Sequence, residues 1–204
     1  MLMKKIILSA LTMLLFSACQ KDKEYTPGPT DTVAAPAPVV EPFTKYSIGA
    51  GQHYADNNIN VRTSYTELRF IAKFDSSAIY TTSDPHNQYD INKLYGFADN
   101  NSFHHQFSAR FGWRWSNNAL RLFGYIYNDG VRNSKELGTV IIGAENTCAI
   151  KVTPDKYIFT LNGITDSMPR TSSAFRAEGY KLYPYFGGDE PAPHKITIFI
   201  KELK

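Results

Sequence analysis

The residues of this 204-residue sequence that are able to do chemistry fall mainly on stretches where apolar and polar side chains alternate. Arg110 and Arg114 alternate with Ala109, Phe111, Trp113 and Trp115, while Arg121, Phe123, Tyr125 and Tyr127 alternate with Leu120, Leu122, Gly124 and Ile126. Glu67, Arg69 and Lys73 stand between Leu68, Phe70, Ala72 and Phe74, and Lys181, Tyr183 and Tyr185 share one parity further on. A period of two sends one set into a core and the other outward. Outward guanidinium groups are fixed donor forks for hydroxyls or carboxylates, and tyrosine rings are flat apolar area with a polar handle. If their strands share one sheet, Arg69, Arg110, Arg114, Tyr125, Tyr183 and Tyr185 line a groove suited to a polysaccharide or oligosaccharide. The same residues are also ordinary strand formers on a solvated face.

Other chemistries find less support. A retaining glycosidase needs two carboxylates about 5 Å apart, which one strand supplies as an E-x-D-x-E run. None exists, and the consecutive Asp189-Glu190 read as a turn. A lyase acting on an acidic polysaccharide needs a cation to neutralise the uronate and a Tyr or His to move protons. His53, His86, His104, His105 and His194 show no H-x-H or H-x-x-x-H spacing, so no zinc site and no cofactor are expected. The stretch from Asp84 to Asn92 has the oxygen ligands that calcium takes but not the spacing of a calcium loop. Cys148, within an apolar run, reads as a small buried side chain. Without a basic cluster or zinc knuckle, nucleic acid is not an expected partner.

The elements that must position these residues are short. Strands are expected at 45–50, 66–74, 93–98, 106–115, 119–127, 137–143, 147–152, 157–161, 181–186 and 195–201, with turn signals such as Asn128-Asp129-Gly130 and Asn162-Gly163 between them. About ten short strands without helical periodicity predict an all-β, antiparallel two-sheet jelly-roll sandwich over residues 43–204. In the last strand Ile196, Ile198 and Ile200 face one way, as core anchors.

Residues 1–18 have a charged start at Lys4 and Lys5 and an apolar run from Ile6 to Phe16, the pattern of a secretory signal peptide. Leu15-Phe16-Ser17-Ala18-Cys19 resembles the lipobox of bacterial lipoproteins, which implies that Cys19 becomes a lipidated N-terminus bearing fatty acyl chains such as palmitate, with membrane lipid as its partner. Gln20-Lys21-Asp22-Lys23-Glu24 is similar to the export signal of surface-exposed lipoproteins of the Bacteroidetes, with Lys23 in place of an acid. Residues 19–42, rich in proline, read as a tether. The expected address is the outer membrane, facing outward. Loss of the leader removes two lysines from a formal charge of +3, leaving a nearly neutral protein.

Thr66-Glu67-Leu68-Arg69 resembles the R-[ST]-E-L-R motif of jelly-roll alginate lyases, with Tyr65 in place of the first Arg, and Tyr183-Pro184-Tyr185-Phe186-Gly187-Gly188 loosely resembles their Y-F-K-A-G segment, a resemblance that implies Arg69, His105 and Tyr185 as the candidates for lysis. Their Q-[IV]-H motif has no counterpart, since His104-His105-Gln106 runs in another order. Across residues 43–204 the strand pattern, with its Y-P-Y-F-G-G turn and P-H-x-I-x-I closing strand, resembles the concanavalin A-like jelly rolls of Bacteroidetes surface lipoproteins. That resemblance implies carbohydrate binding, with polysaccharide lysis and a non-enzymatic adhesion or envelope-assembly role as alternatives.

Overall fold

The computed structural model describes residues 42–204; the expected signal peptide, Cys19 and the tether lie outside the described residues. Among these residues the alternating segments become twelve strands: β1 (Thr44–Ile48), β2 (Arg62–Tyr65), β3 (Glu67–Phe74), β4 (Asn92–Ala98), β5 (Ser108–Ser116), β6 (Ala119–Asn128), β7 (Val131–Val140), β8 (Glu145–Val152), β9 (Lys156–Leu161), β10 (Ile164–Pro169), β11 (Ala177–Leu182) and β12 (Ile196–Leu203). They form two six-stranded antiparallel sheets, ordered β1-β12-β3-β8-β9-β10 and β2-β11-β4-β5-β6-β7. This is the two-sheet sandwich expected.

The inward parity sets meet between the sheets. Phe70 of β3 stands edge-on to Phe111 of β5 at 5.5 Å, and Phe74 packs on Trp113 at 5.4 Å. Ile196, Ile198 and Ile200 are buried beside them. Each such side chain contributes roughly 1.5–3 kcal/mol by leaving water. Cys148 is buried in the same core, and burial pushes its thiol well above the usual range, so it stays a protonated apolar filler.

The sequence misses β2 and β10 and shifts two others. β7 begins at Val131, six residues before its expected start, because this sheet-edge strand carries charge and polarity on both faces and shows no alternation. β11 begins at Ala177 and ends at Leu182 instead of running on to Phe186. In β4 the register shifts between Lys93 and Tyr95, so Leu94 and Tyr95 both enter the core and Gly96 comes to lie opposite Arg110. A Cβ on Gly96 would stand 2.2 Å from the Ala109 carbonyl oxygen and 2.4 Å from the Arg110 Cβ, so no side chain fits there.

Two segments that flank the second sheet are tied by one buried cluster. Asp99, just after β4, accepts from Arg170 Nε at 2.8 Å and from the Tyr157 hydroxyl at 2.7 Å. Arg170 Nη2 also reaches Ser172 Oγ and the Ala174 carbonyl, and Nη1 the Thr153 carbonyl. Both ionised side chains are fully buried. Arg170 follows β10 of the first sheet and Asp99 closes β4 of the second, so the pair pins the crossover leading into β11. Arg170→Met, which leaves Asp99 buried and unpaired, is expected to cost about 3–5 kcal/mol in a chemical denaturation experiment. A loss below about 1 kcal/mol, the worth of an exposed pair, would deny the cluster this role.

Candidate functional site

A groove of about 750 Å³ lies on the outward face of the second sheet. Its floor is set by outward parity on neighbouring strands: Lys93 of β4, Arg110 of β5 and Tyr125 of β6, where Arg110 and Tyr125 are direct cross-strand partners. Its walls come from loops. The connection from β1 to β2 supplies Tyr54 and Ile59, the β4–β5 connection supplies Phe103, His104 and His105, and β11 with the segment after it supplies Tyr180 and Tyr185.

Tyr185 is held beside Lys93 by reciprocal backbone bonds, Lys93 N–H to the Tyr185 carbonyl at 2.8 Å and Tyr185 N–H to the Lys93 carbonyl at 3.0 Å. Its ring stacks on His53 at 5.4 Å and takes the edge of Tyr54 at 4.9 Å. Across the groove the His104 N–H donates to the Tyr180 hydroxyl oxygen at 3.1 Å. The same hydroxyl lies within hydrogen-bond reach of His104 Nδ1, 2.8 Å away. Burial, with Arg110 and His105 adding to it, lowers the His104 pKa to about 4, so this imidazole is neutral at pH 7. Burial and Arg110 also lower the His105 pKa.

The floor is cationic. Arg110 is 5% exposed, lies under the Tyr125 ring at 5.3 Å, and its Nε has no hydrogen-bond partner. Lys93 Nζ donates to the Ile91 carbonyl at 2.7 Å and sits over the Tyr125 ring at 4.9 Å. Burial, then the charges of Arg110 and Arg132, lower the Lys93 pKa to about 8, with Asp90 opposing. Burial pushes the Tyr125 hydroxyl up to about 12, and burial with Tyr54 raises Tyr185, so at neutral pH these hydroxyls are donors and not bases.

Of the residues picked out by sequence, Arg110, Tyr125, Tyr185 and His105 come together here. Three do not behave as expected. Arg69 is exposed on β3, in the first sheet, paired across to Leu203 and Ala149, so Arg69, His105 and Tyr185 do not form one constellation. Arg114 shares the face of Arg110 but is occupied, bonding the Tyr89 carbonyl at 2.7 Å and Ser116 Oγ at 3.1 Å while covering Phe123, and it holds a loop to the sheet. Tyr183 touches the groove rim, yet its ring packs inward on Tyr46 and Tyr95, because it shares the parity of Lys181, which pairs with the core residue Phe97, while Leu182 takes the groove side opposite Gly96. Lys93, Tyr54, Phe103, Arg132 and Tyr180 were not singled out. Of these, Lys93 carries a sequence signal, as a cation in a predicted strand.

The oxygen-rich stretch from Asp84 to Asn92 contains a short 3₁₀ turn whose Asp84 carboxylate accepts from the His86 N–H, while Glu190 accepts from the Ser83 and Asp84 N–H groups. Among the described residues no group of three or more His, Cys, Asp or Glu side chains is gathered for a metal.

No family model matches the sequence, and a search of curated proteins finds no match. Solved structures do match. The alginate lyase AlyC3 aligns with a TM-score of 0.52 at 9% identity, over 79% of this chain and 75% of that one. The fold is a concanavalin A-like jelly roll. A glycoside hydrolase family 16 endo-glucanase from Bacteroides ovatus, in complex with G4G3G-2F-DNP, aligns with a TM-score of 0.47 at 8% identity, over 80% of this chain and 81% of that one. In this jelly roll the groove occupies the outward face of the sheet that contains β5 and β6.

Because Lys93 faces Arg110 on β5, Tyr125 on β6, Arg132 on β7, and Tyr185, His105 and Asp90 from the loops, its titration reports the groove's charge. Arg110→Met is expected to raise the midpoint of Lys93 from about 8 toward the ordinary lysine value, read by side-chain NMR. An unchanged midpoint would show that the two cations do not interact.

Proposed function

We propose that this chain binds carbohydrate in the groove of its second sheet, held at the outer-membrane surface by lipid on Cys19. The observation that carries the reading is at the rim, where Tyr54 is 66% and Phe103 78% exposed although both rings border a concave, partly aromatic surface. Large rings left in water beside a groove mark a binding surface, and pyranose faces have the apolar CH patches that cover such rings. Below them Tyr125, Tyr180 and Tyr185 supply hydroxyls, and the cations supply donors, for sugar oxygens. The likeness to AlyC3 adds support at the level of fold only.

A glycan array probed with the protein tests this. Tyr54→Ala and Phe103→Ala are each expected to weaken a detected glycan about tenfold, or ~1.4 kcal/mol. Unchanged binding in both variants would place the site elsewhere, and silence on the array with capture of an envelope protein would favour the adhesion role.

Lysis of a uronate is a second reading, favoured by His105 and Tyr185 lining the same groove as Arg110. Incubation with alginate and other uronates should then generate unsaturated-product absorbance, and none with any uronate retires it. The anchor is tested separately: Cys19→Ala should abolish acylation and lipoprotein-type cleavage, and unchanged processing would remove the lipid from the proposal.

A further inference from the structure

Among the described residues three buried side-chain polar atoms have no hydrogen-bond partner, Thr63 Oγ1, Trp113 Nε1 and Arg110 Nε, and only the last belongs to an ion. Other arginines of the fold have acceptors: Arg170 has Asp99, Arg121 has Glu136 at 2.7 Å, and Arg114 has the Tyr89 carbonyl and Ser116. Arg110 is as buried as a core residue and faces the groove under the Tyr125 ring, with no acceptor for its Nε–H. A guanidinium stays protonated in such a place, and a buried charge without a counterion is strongly unfavourable.

Lys93 and Arg132 stand beside it, contributed by β4 and β7, so three cations converge from three strands. Among the described residues no aspartate or glutamate lines the groove itself, and the nearest acid acting on these cations is Asp90, which faces Lys93 from the loop behind Gly188. The fourth lining cation, Lys181, is already paired with Glu202. A neutral sugar would offer Arg110 hydroxyl oxygens but leave the charge uncompensated.

We propose that the glycan bound here is acidic, and that a sulfate ester or carboxylate on it docks against the Arg110 guanidinium with Lys93 and Arg132 flanking. The inference rests on the groove being the glycan site and adds the chemical class of its ligand. An oxyanion accepts the free Nε–H in a charge-assisted bond, about twice as strong as a neutral one, and relieves the mutual repulsion of the three cations. The burial that makes Arg110 costly when empty makes the docked anion effective, because water no longer screens the pair.

The test measures affinity for dextran sulfate, polygalacturonate and uncharged dextran, with an uncharged glycan array alongside, using the parent protein, Arg110→Met, Arg110→Lys and Arg69→Met. Arg69→Met removes the same charge from the opposite sheet and controls for general polyanion attraction. The expected result is binding to at least one charged polymer, weakened tenfold or more by Arg110→Met, several-fold by Arg110→Lys and less than twofold by Arg69→Met. A preference for dextran sulfate or for polygalacturonate identifies the anion as sulfate or carboxylate, as does the shift of the Arg110 Nε–H resonance with sodium sulfate against sodium acetate. Equal losses in Arg110→Met and Arg69→Met overturn the proposal. Retention of uncharged glycans with indifference to both charged polymers overturns it while sparing the groove as a sugar site. If no glycan of either kind binds, the site reading and this inference fall together. Arg110→Met should melt no lower than the parent, because it removes an uncompensated charge, so a lost signal is separable from a lost fold.

Discussion

Asp99 and Arg170 are ionised where water does not reach, and each is tolerable only because the other is there. Their pairing decides where two loops go. Asp99 begins the connection that carries Phe103, His104 and His105, and its own Oδ1 accepts from the Asn100 N–H as that connection leaves the sheet. Arg170 begins the crossover into β11, and through Nη2 it gathers the carbonyls of Ala174 and Arg176 before the strand starts. Tyr180, on β11, then meets His104 from the other loop. One buried ion pair therefore fixes the distance between two walls of the groove, and the Tyr157 hydroxyl ties the arrangement to the other sheet.

Within that frame the two buried arginines play opposite parts. Arg170 is saturated, with a carboxylate, a hydroxyl and carbonyls around one planar group, so it holds shape. Arg110 has rings and no acceptor, so it holds a charge ready. The same residue type becomes a brace or a contact according to what the backbone brings within about 3 Å of its donors. Arg114, four residues along the same strand face, shows how little separates the two roles, since one carbonyl and one hydroxyl are enough to turn it into a clasp.

What could be read in advance follows from where alternation is clean. In β3, β5 and β6 one face is fully buried, so period two fixed both strand and orientation, and Arg110 and Tyr125 followed from it. β2 and β10 are short strands at sheet edges, with no buried position in β2 and one in β10, and leave no apolar rhythm to detect. Local polarity points Lys181 and Tyr183 outward, whereas the pairing of Lys181 with the core residue Phe97 turns both inward, a cross-strand fact that one sequence does not carry. Arg69 was grouped with the others because one sequence does not say which sheet a strand joins, and β3 pairs with β12 and β8. Tyr54 and Phe103 lie in loops, where position depends on the crossover contacts and not on any local period.

Gly96 lets β4 lie close against β5 at the level of Arg110. The place directly across from Arg110 is bare backbone, and the space any side chain would occupy is taken by Ala109 and Arg110 themselves. The position of Arg110 on its strand thus depends on a hydrogen atom where other residues have a carbon. A lineage or an engineer seeking to retune the site has freedom in the loops and very little at this spot. Selectivity for ring shape can drift with Tyr54 and Phe103, whereas the buried charge is locked to a glycine on the neighbouring strand, and the two properties can evolve at different speeds.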